Sequence, residues 1–203
     1  ADTITDFTDG TDVLGLDDGL LYSQLTIAQG TGSNSSATSS SVTSSSEYLA
    51  ILHGIDASNV NYMDFASMAT GSQSFTGTTG DDVFIGAAGV DTVTTNTGTD
   101  VILTSAGDDV ITVDGTGNKT IDGGSGTDSI AINLTGRTSL SDFSISYSND
   151  TFTFTDQSNN TISLKNTETY SINGVSYEDY VGALYVDGAS QQISNVFWNQ
   201  TAS

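Results

Sequence analysis

Apolar residues return at a fixed interval through the middle of this chain. Phe84, Val93, Ile102 and Ile111 are each nine residues apart, and after a one-residue slip Ile121 and Ile130 resume the step. Two positions before them come Asp82, Asp91, Asp100, Asp109 and Asp128, with Lys119 breaking the series. Two earlier again come Gly80, Gly89, Gly98, Gly107, Gly117 and Gly126. A nine-residue unit of turn glycine, acid and inward apolar residue predicts a parallel β-solenoid. The apolar positions then form a narrow core. Each buried side chain contributes roughly 1.5–3 kcal/mol, and a solenoid sums these contributions coil by coil.

The flanks follow other patterns. Residues 1–69 predict a β-rich unit with short strands at Thr3–Phe7, Val13–Leu16, Gln24–Ala28 and Tyr48–His53. The run TGSNSSATSSSVTSSS, low in complexity, predicts a loop or irregular edge. Asp56 or Ser58 is placed to cap a short helix through Phe65. Residues 70–76 read as a linker. After the repeats, FSISYS and TFTFTD flank Asn149-Asp150 and predict a β-hairpin. TISLK reads as a further strand, and Asn173-Gly174 marks a second hairpin turn. Tyr177 to Val186 reads as a short helix. The fold class expected is all-β. A parallel β-roll over 70–134 is flanked by the N-terminal unit, 1–69, and by an antiparallel β cap and tail, 135–203. The cap would cover strand edges that a solenoid otherwise leaves open.

Charge narrows the choice of partners. The chain of 203 residues has a formal net charge of −22 and three basic residues, Lys119, Arg137 and Lys165. Nucleic acid and anionic membrane both need cationic contacts, so neither is an expected partner. All but three of the 25 acids are Asp; the exceptions are Glu47, Glu168 and Glu178. Asp is the shortest carboxylate and reaches an ion beside its own turn. Calcium takes six to eight oxygens from carboxylates, carbonyls and water, and glycine lets the backbone reverse tightly around it. Each bound Ca²⁺ would cancel two charges, which couples folding to metal. The competing reading is that these aspartates only cap tight turns. There is no cysteine and no proline. No stretch of 18 apolar residues is present, so no transmembrane segment is expected.

Alternate repeats fall on the same edge of a roll. One edge stacks Asp82, Asp100 and Lys119; the other stacks Asp91, Asp109 and Asp128. The second edge offers two gaps between successive acids. The first offers one, after which Lys119 puts an ammonium where an ion would sit.

The six units from Gly77 to Ala131 resemble the RTX, or hemolysin-type calcium-binding, repeat GGxGxDxUx, where U is a large apolar residue. GGSGTDSIA keeps the full pattern; GTTGDDVFI and GAAGVDTVT keep both turn glycines and the acid; TNTGTDVIL and TSAGDDVIT keep only the later glycine and the acid. The resemblance implies calcium between stacked turns, held by carboxylates and main-chain carbonyls. Carried onto this chain, the ligands are Asp82, Asp91, Asp100, Asp109 and Asp128, with the carbonyls of Gly77, Thr79, Gly86, Ala88, Gly123 and Ser125. It also implies a secreted, extracellular or cell-surface location and type I export. The opening segment resembles one that closes a preceding β-roll in large secreted bacterial proteins, which implies a longer architecture.

No pattern for catalysis emerges. His53 is the one histidine and sits in an apolar strand. Asp17-Asp18, Asp81-Asp82 and Asp108-Asp109 are adjacent acids, and glycosidases use paired carboxylates, but neighbouring strand residues point to opposite faces. Tyr170, Tyr177, Tyr180, Tyr185, Phe197 and Trp198 suit either a cap core or a carbohydrate platform. The expected function is therefore a non-catalytic structural or assembly module, such as a surface-layer, fibre or adhesin subunit. Its expected partners are copies of itself or other extracellular structural proteins. The alternatives are a carrier or secretion domain of a larger type I-secreted enzyme or toxin, and a glycan-binding adhesin module. The tail Ile193–Trp198 is a candidate for docking on a neighbouring strand edge.

Overall fold

The computed structural model describes residues 2–17, 20–30, 40–45 and 47–178. Strands dominate, and no α-helix occurs among the described residues. The chain divides into two compact units, Ala1–Ala69 and Thr70–Ser203.

In the first unit, β1 (Asp2–Ile4), β3 (Leu25–Gln29), β4 (Ser40–Ser44) and β5 (Glu47–Leu52) make one sheet in the order β1-β5-β4-β3. Strands β2 (Leu14–Leu16) and β6 (Phe65–Ser67) pair in parallel. Strand β4 lies inside the Ser/Thr-rich run expected to be a loop. Val42 and Thr43 suit a pleated surface, and Val42 is buried between β3 and β5. The helix expected from Asp56 to Phe65 is replaced by two single 3₁₀ turns, Ala57–Asn59 and Tyr62–Asp64. Asp56 caps the first by accepting from the Ser58 N–H at 2.9 Å. Asn61 and Asp64 cap the second, and neither turn is long enough to propagate a helix.

The second unit contains the roll. Two six-stranded sheets alternate along the chain. One contains β8 (Val83–Ile85), β10 (Asp100–Leu103), β12 (Lys119–Asp122) and β16 (Thr161–Lys165), all parallel. The other contains β7 (Ser74–Thr76), β9 (Thr92–Thr94), β11 (Val110–Val113), β13 (Ser129–Ile132) and β17 (Thr169–Ile172), also parallel. The register stacks Phe84, Ile102, Ile121 and Leu164 in one column. It stacks Phe75, Val93, Ile111, Ile130 and Tyr170 in the other. Apart from Phe75 these residues are buried, and they form the core that the nine-residue period requires.

Two expectations change here. Residues 70–76 are not a linker, because Ser74–Thr76 is the first strand of the roll and Phe75 stacks on Phe84 at 4.9 Å between ring centres. The C-terminal segment does not simply lie over the end of the roll. Strands β16 and β17 add one more parallel coil. Antiparallel β14 (Phe143–Ser148), β15 (Thr151–Asp156) and β18 (Val175–Glu178) then finish the two sheets. The hairpin turns fall where expected. Asn149 and Asp150, then Asn173 and Gly174, all take the positive φ angles of tight two-residue turns. Tyr177 and Glu178 belong to β18 rather than to a helix. The rest of that segment, and the tail Ile193–Trp198, lie outside the described residues.

Candidate metal centre: the turns along two edges

Six turns join the roll strands from β7 to β13: 77–82, 95–100 and 114–119 along one edge, and 86–91, 104–109 and 123–128 along the other. The residue closing each turn, an acid in five and Lys119 in the sixth, faces inward. Asp82, Asp91, Asp100, Asp109 and Asp128 are all buried, as is Lys119. Their adjacent acids, Asp81 and Asp108, are exposed, so these pairs do not converge. Asp18, of the third pair, lies outside the described residues.

Each inward carboxylate first serves the backbone. The Asp82 N–H donates to Asp100 Oδ1 at 3.0 Å. On the other edge the Gln73 N–H donates to Asp91 Oδ1 at 2.7 Å, Asp91 N–H to Asp109 Oδ1 at 2.7 Å, and Asp109 N–H to Asp128 Oδ1 at 2.9 Å. Asp128 N–H continues the ladder to Glu168 Oε2 at 2.7 Å. Coil is thus tied to coil through one oxygen each of Asp91, Asp100, Asp109, Asp128 and Glu168. The exposed acids add a second row, with Thr99 N–H on Asp81 and Thr127 N–H on Asp108.

The second oxygen separates the turns into two kinds. In 77–82 and 86–91 the second residue, Thr78 or Ala87, turns its N–H onto the acid of its own turn. These bonds reach Asp82 Oδ2 at 2.7 Å and Asp91 Oδ2 at 2.9 Å. In the other four turns the second residue has positive φ: Asn96 +58°, Ser105 +74°, Gly115 +77° and Gly124 +85°. The N–H of that residue does not reach the closing acid. Asp100 Oδ2 instead meets the Lys119 ammonium at 3.0 Å. Asp100 Oδ2, Asp109 Oδ2 and Asp128 Oδ2 are all buried and accept no hydrogen bond, and only that of Asp100 has an ion-pair partner.

Electrostatics follow from this arrangement. Burial raises the Asp128 carboxyl to about 6, opposed by the Asp109 N–H and assisted by the charges of Asp109, Glu168 and Asp108. Burial also raises Asp91 and Asp100, in the latter case despite the Lys119 ammonium. An unpaired buried carboxylate oxygen is costly, and a cation is the partner that removes the cost.

The residues present fit a hard cation at one place better than elsewhere. Asp109 and Asp128 offer the two free oxygens. Gly123 lies against one of them, since a Cβ there would stand 2.5 Å from Asp128 Oδ2. No cluster of three or more acidic or histidine side chains occurs among the described residues, so main-chain oxygens must complete any coordination. The Gly123 carbonyl accepts from Thr104 Oγ1 at 2.9 Å and that of Ser125 from the Gly107 N–H at 2.9 Å. Each carbonyl keeps a second lone pair. Asp82 and Asp91, by contrast, are already satisfied within the chain. The Gly77 carbonyl takes the Asn96 amide at 2.6 Å and the Gly86 carbonyl takes the Ser105 hydroxyl at 3.1 Å. Thr79 and Ala88 sit exposed at the tips of those two turns.

Several participants were not evident in sequence. Asn96, Ser105, Thr95 and Thr104 stand where the repeat has glycine, and their side chains bond carbonyls of adjacent coils. Asn at a glycine position was the available signal, since Asn tolerates positive φ. Glu168 extends the acid ladder from 40 residues beyond Asp128, after the hairpin excursion breaks the period.

Nothing comparable forms elsewhere among the described residues. His53 is exposed just past β5. Tyr170 is buried against Phe152 and Phe154 and bonds Thr167 through its hydroxyl. It therefore belongs to the core of the cap and not to an open platform. Tyr180, Tyr185, Phe197 and Trp198 lie outside the described residues. No helix among the described residues is long and apolar enough to cross a membrane, which leaves crossing by strands unaddressed.

No protein-family model matches the sequence, and no curated protein matches it. Among solved structures the chain is similar to the extracellular lipase LipA from Serratia marcescens, at 19% identity with a TM-score of 0.42. That similarity covers 49% of this chain and 17% of the lipase chain. At this level it carries nothing about chemistry from the lipase to this chain.

Proposed function

We propose that this chain is a calcium-stabilised structural module of a secreted or cell-surface protein, without catalysis of its own. The observation behind the reading is the pair of buried, unpartnered oxygens, Asp109 Oδ2 and Asp128 Oδ2. An unsatisfied charged group of this kind costs more than the roughly 1–3 kcal/mol of a neutral one. Calcium would be held by these carboxylates with the Gly123 and Ser125 carbonyls, and it would supply charge neutralisation and a link between coils. Asp82, Asp91 and the carbonyls around them would take part only after their turns rearranged. RTX-like repeats and a net charge of −22 support the same metal. Calcium would then complete folding where the ion is abundant, outside the cell. Isothermal calcium titration tests the reading. Binding that is lost in Asp109→Asn and Asp128→Asn but kept in Asp82→Asn supports it; equal loss in all three contradicts the site.

The favoured role is assembly with copies of itself or with other extracellular structural proteins, as in a surface layer, fibre or adhesin. A carrier domain of a longer secreted enzyme or toxin would use the same roll. Electron microscopy with and without calcium separates these roles, since ordered polymers in calcium belong to assembly alone.

A further inference from the structure

We propose that Lys119 is a tethered cation that permanently fills the space between two turns of one edge, so that this space takes no metal ion. The Lys119 ammonium lies 2.6 Å from the Gly98 carbonyl, 3.2 Å from the Thr116 carbonyl and 3.0 Å from Asp100 Oδ2. Gly98 belongs to turn 95–100 and Thr116 to turn 114–119, so one ammonium clamps two successive turns. Two of the three ammonium donors go to the carbonyls, and Asp100 Oδ2 faces the ammonium as its ion-pair partner. Both side chains of the pair are 0% exposed. Lys165, the other lysine, meets Asp122 at 3.7 Å and is 48% exposed, an ordinary surface pair.

The register makes Lys119 the counterpart of Asp128. Asp100 lies opposite Lys119 as Asp109 lies opposite Asp128. Where Asp128 takes the Asp109 N–H through its carboxylate, the Asp100 N–H goes to the Asn118 carbonyl at 2.9 Å. Lys119 is thereby freed from the backbone ladder, and its ammonium reaches back to the acid. The neighbouring carbonyl of Asp114 accepts from Thr95 Oγ1 at 3.2 Å. Positive charge, carboxylate and main-chain carbonyls all come from the chain itself. The roll thus has a metal-free fastening on one edge, while the unpartnered Asp109 and Asp128 oxygens lie on the other. Only the contrast between edges rests on the calcium reading; the fastening by Lys119 stands without it.

Reductive methylation of the folded chain in saturating calcium tests the fastening. A metal ion between these turns would expel the ammonium. Lys165 is expected to react freely, and Lys119 roughly a hundredfold more slowly, because it reacts only when the turns open. Equal rates for the two lysines would overturn the proposal. Failure of the chain to bind calcium at all would refute the calcium reading and leave Lys119 protected. Calcium stoichiometry of variants gives a second test. Lys119→Asp recreates the opposed acids of the other edge and is expected to bind one more calcium than the native chain, whereas Lys119→Met gains none. A folded Lys119→Asp variant with native stoichiometry would overturn the assignment of this space as a cation position.

Discussion

Replacing Asp109 by Asn should change stability in opposite directions with and without calcium. The substitution keeps the shape and the Oδ1 acceptor for the Asp91 N–H, 2.7 Å away. It removes the charge and the unpartnered Oδ2, and it introduces a donor that a carboxylate lacks. Without metal, the native carboxylate costs more than the roughly 1–3 kcal/mol of a neutral group through that oxygen, and the unpaired Asn donor gives back part of this, so the variant should be more stable by about 1–3 kcal/mol. At about 2–4 °C per kcal/mol for a chain of this size, the melting temperature should rise by about 2–12 °C. With calcium at a thousandfold excess over its dissociation constant, the native protein gains about 4.1 kcal/mol. The variant forgoes most of that and should melt below the native protein. Thermal unfolding followed by circular dichroism, in chelator and in calcium, measures both differences. A shift of the same sign in both media would refute the reasoning.

Three further outcomes follow from the turns. Asp128 has its folded value raised from 3.8 to about 6, so the metal-free fold binds the proton more tightly than the unfolded chain. Its stability should therefore fall as pH rises from about 4 through about 6, and in calcium the slope should reverse, because ligation needs ionised carboxylates; melting temperatures across this window check both slopes. Gly123→Ala would drive a Cβ into the Asn166 carbonyl and Asp128 Oδ2 and should lower both calcium affinity and melting temperature, while Gly71→Ala, which meets nothing within 4 Å, should leave both unchanged. Asn96→Val places a β-branched residue at φ +58° and loses the bond to Gly77, for a cost of about 2–3 kcal/mol, whereas Asn96→Gly loses only the bond, about 1 kcal/mol, in denaturant unfolding.

The roll was legible because its period is geometric. One apolar residue per nine fixes a coil, and Phe84, Val93, Ile102, Ile111, Ile121 and Ile130 stack as the spacing requires. Both hairpins were legible because Asn149-Asp150 and Asn173-Gly174 favour the positive φ of such turns. Strand β4 was hidden because Ser and Thr carry no hydrophobic alternation, and its pairing with β3 and β5 decides it. Strand β7 was hidden because its partner, β9, supplies the evidence for it. Spacing also sorted the acids correctly between edges. It could not tell which carboxylates were free, since that depends on which way the second peptide of each turn faces. Thr78 and Ala87 turn their N–H inward onto their acids; Asn96, Ser105, Gly115 and Gly124 do not. The motif-perfect turn GGSGTD and the degenerate TSAGDD both leave an oxygen open, while GTTGDD and GAAGVD, closer to the repeat than TSAGDD, do not.

The dependence of the roll on calcium is tested most directly by melting the full chain after exhaustive chelation, with metal analysis confirming that no calcium is retained. The account predicts a lower melting temperature and a weaker β signal than in saturating calcium, both restored when calcium is returned. An unchanged melting temperature in protein shown to be free of metal would contradict it.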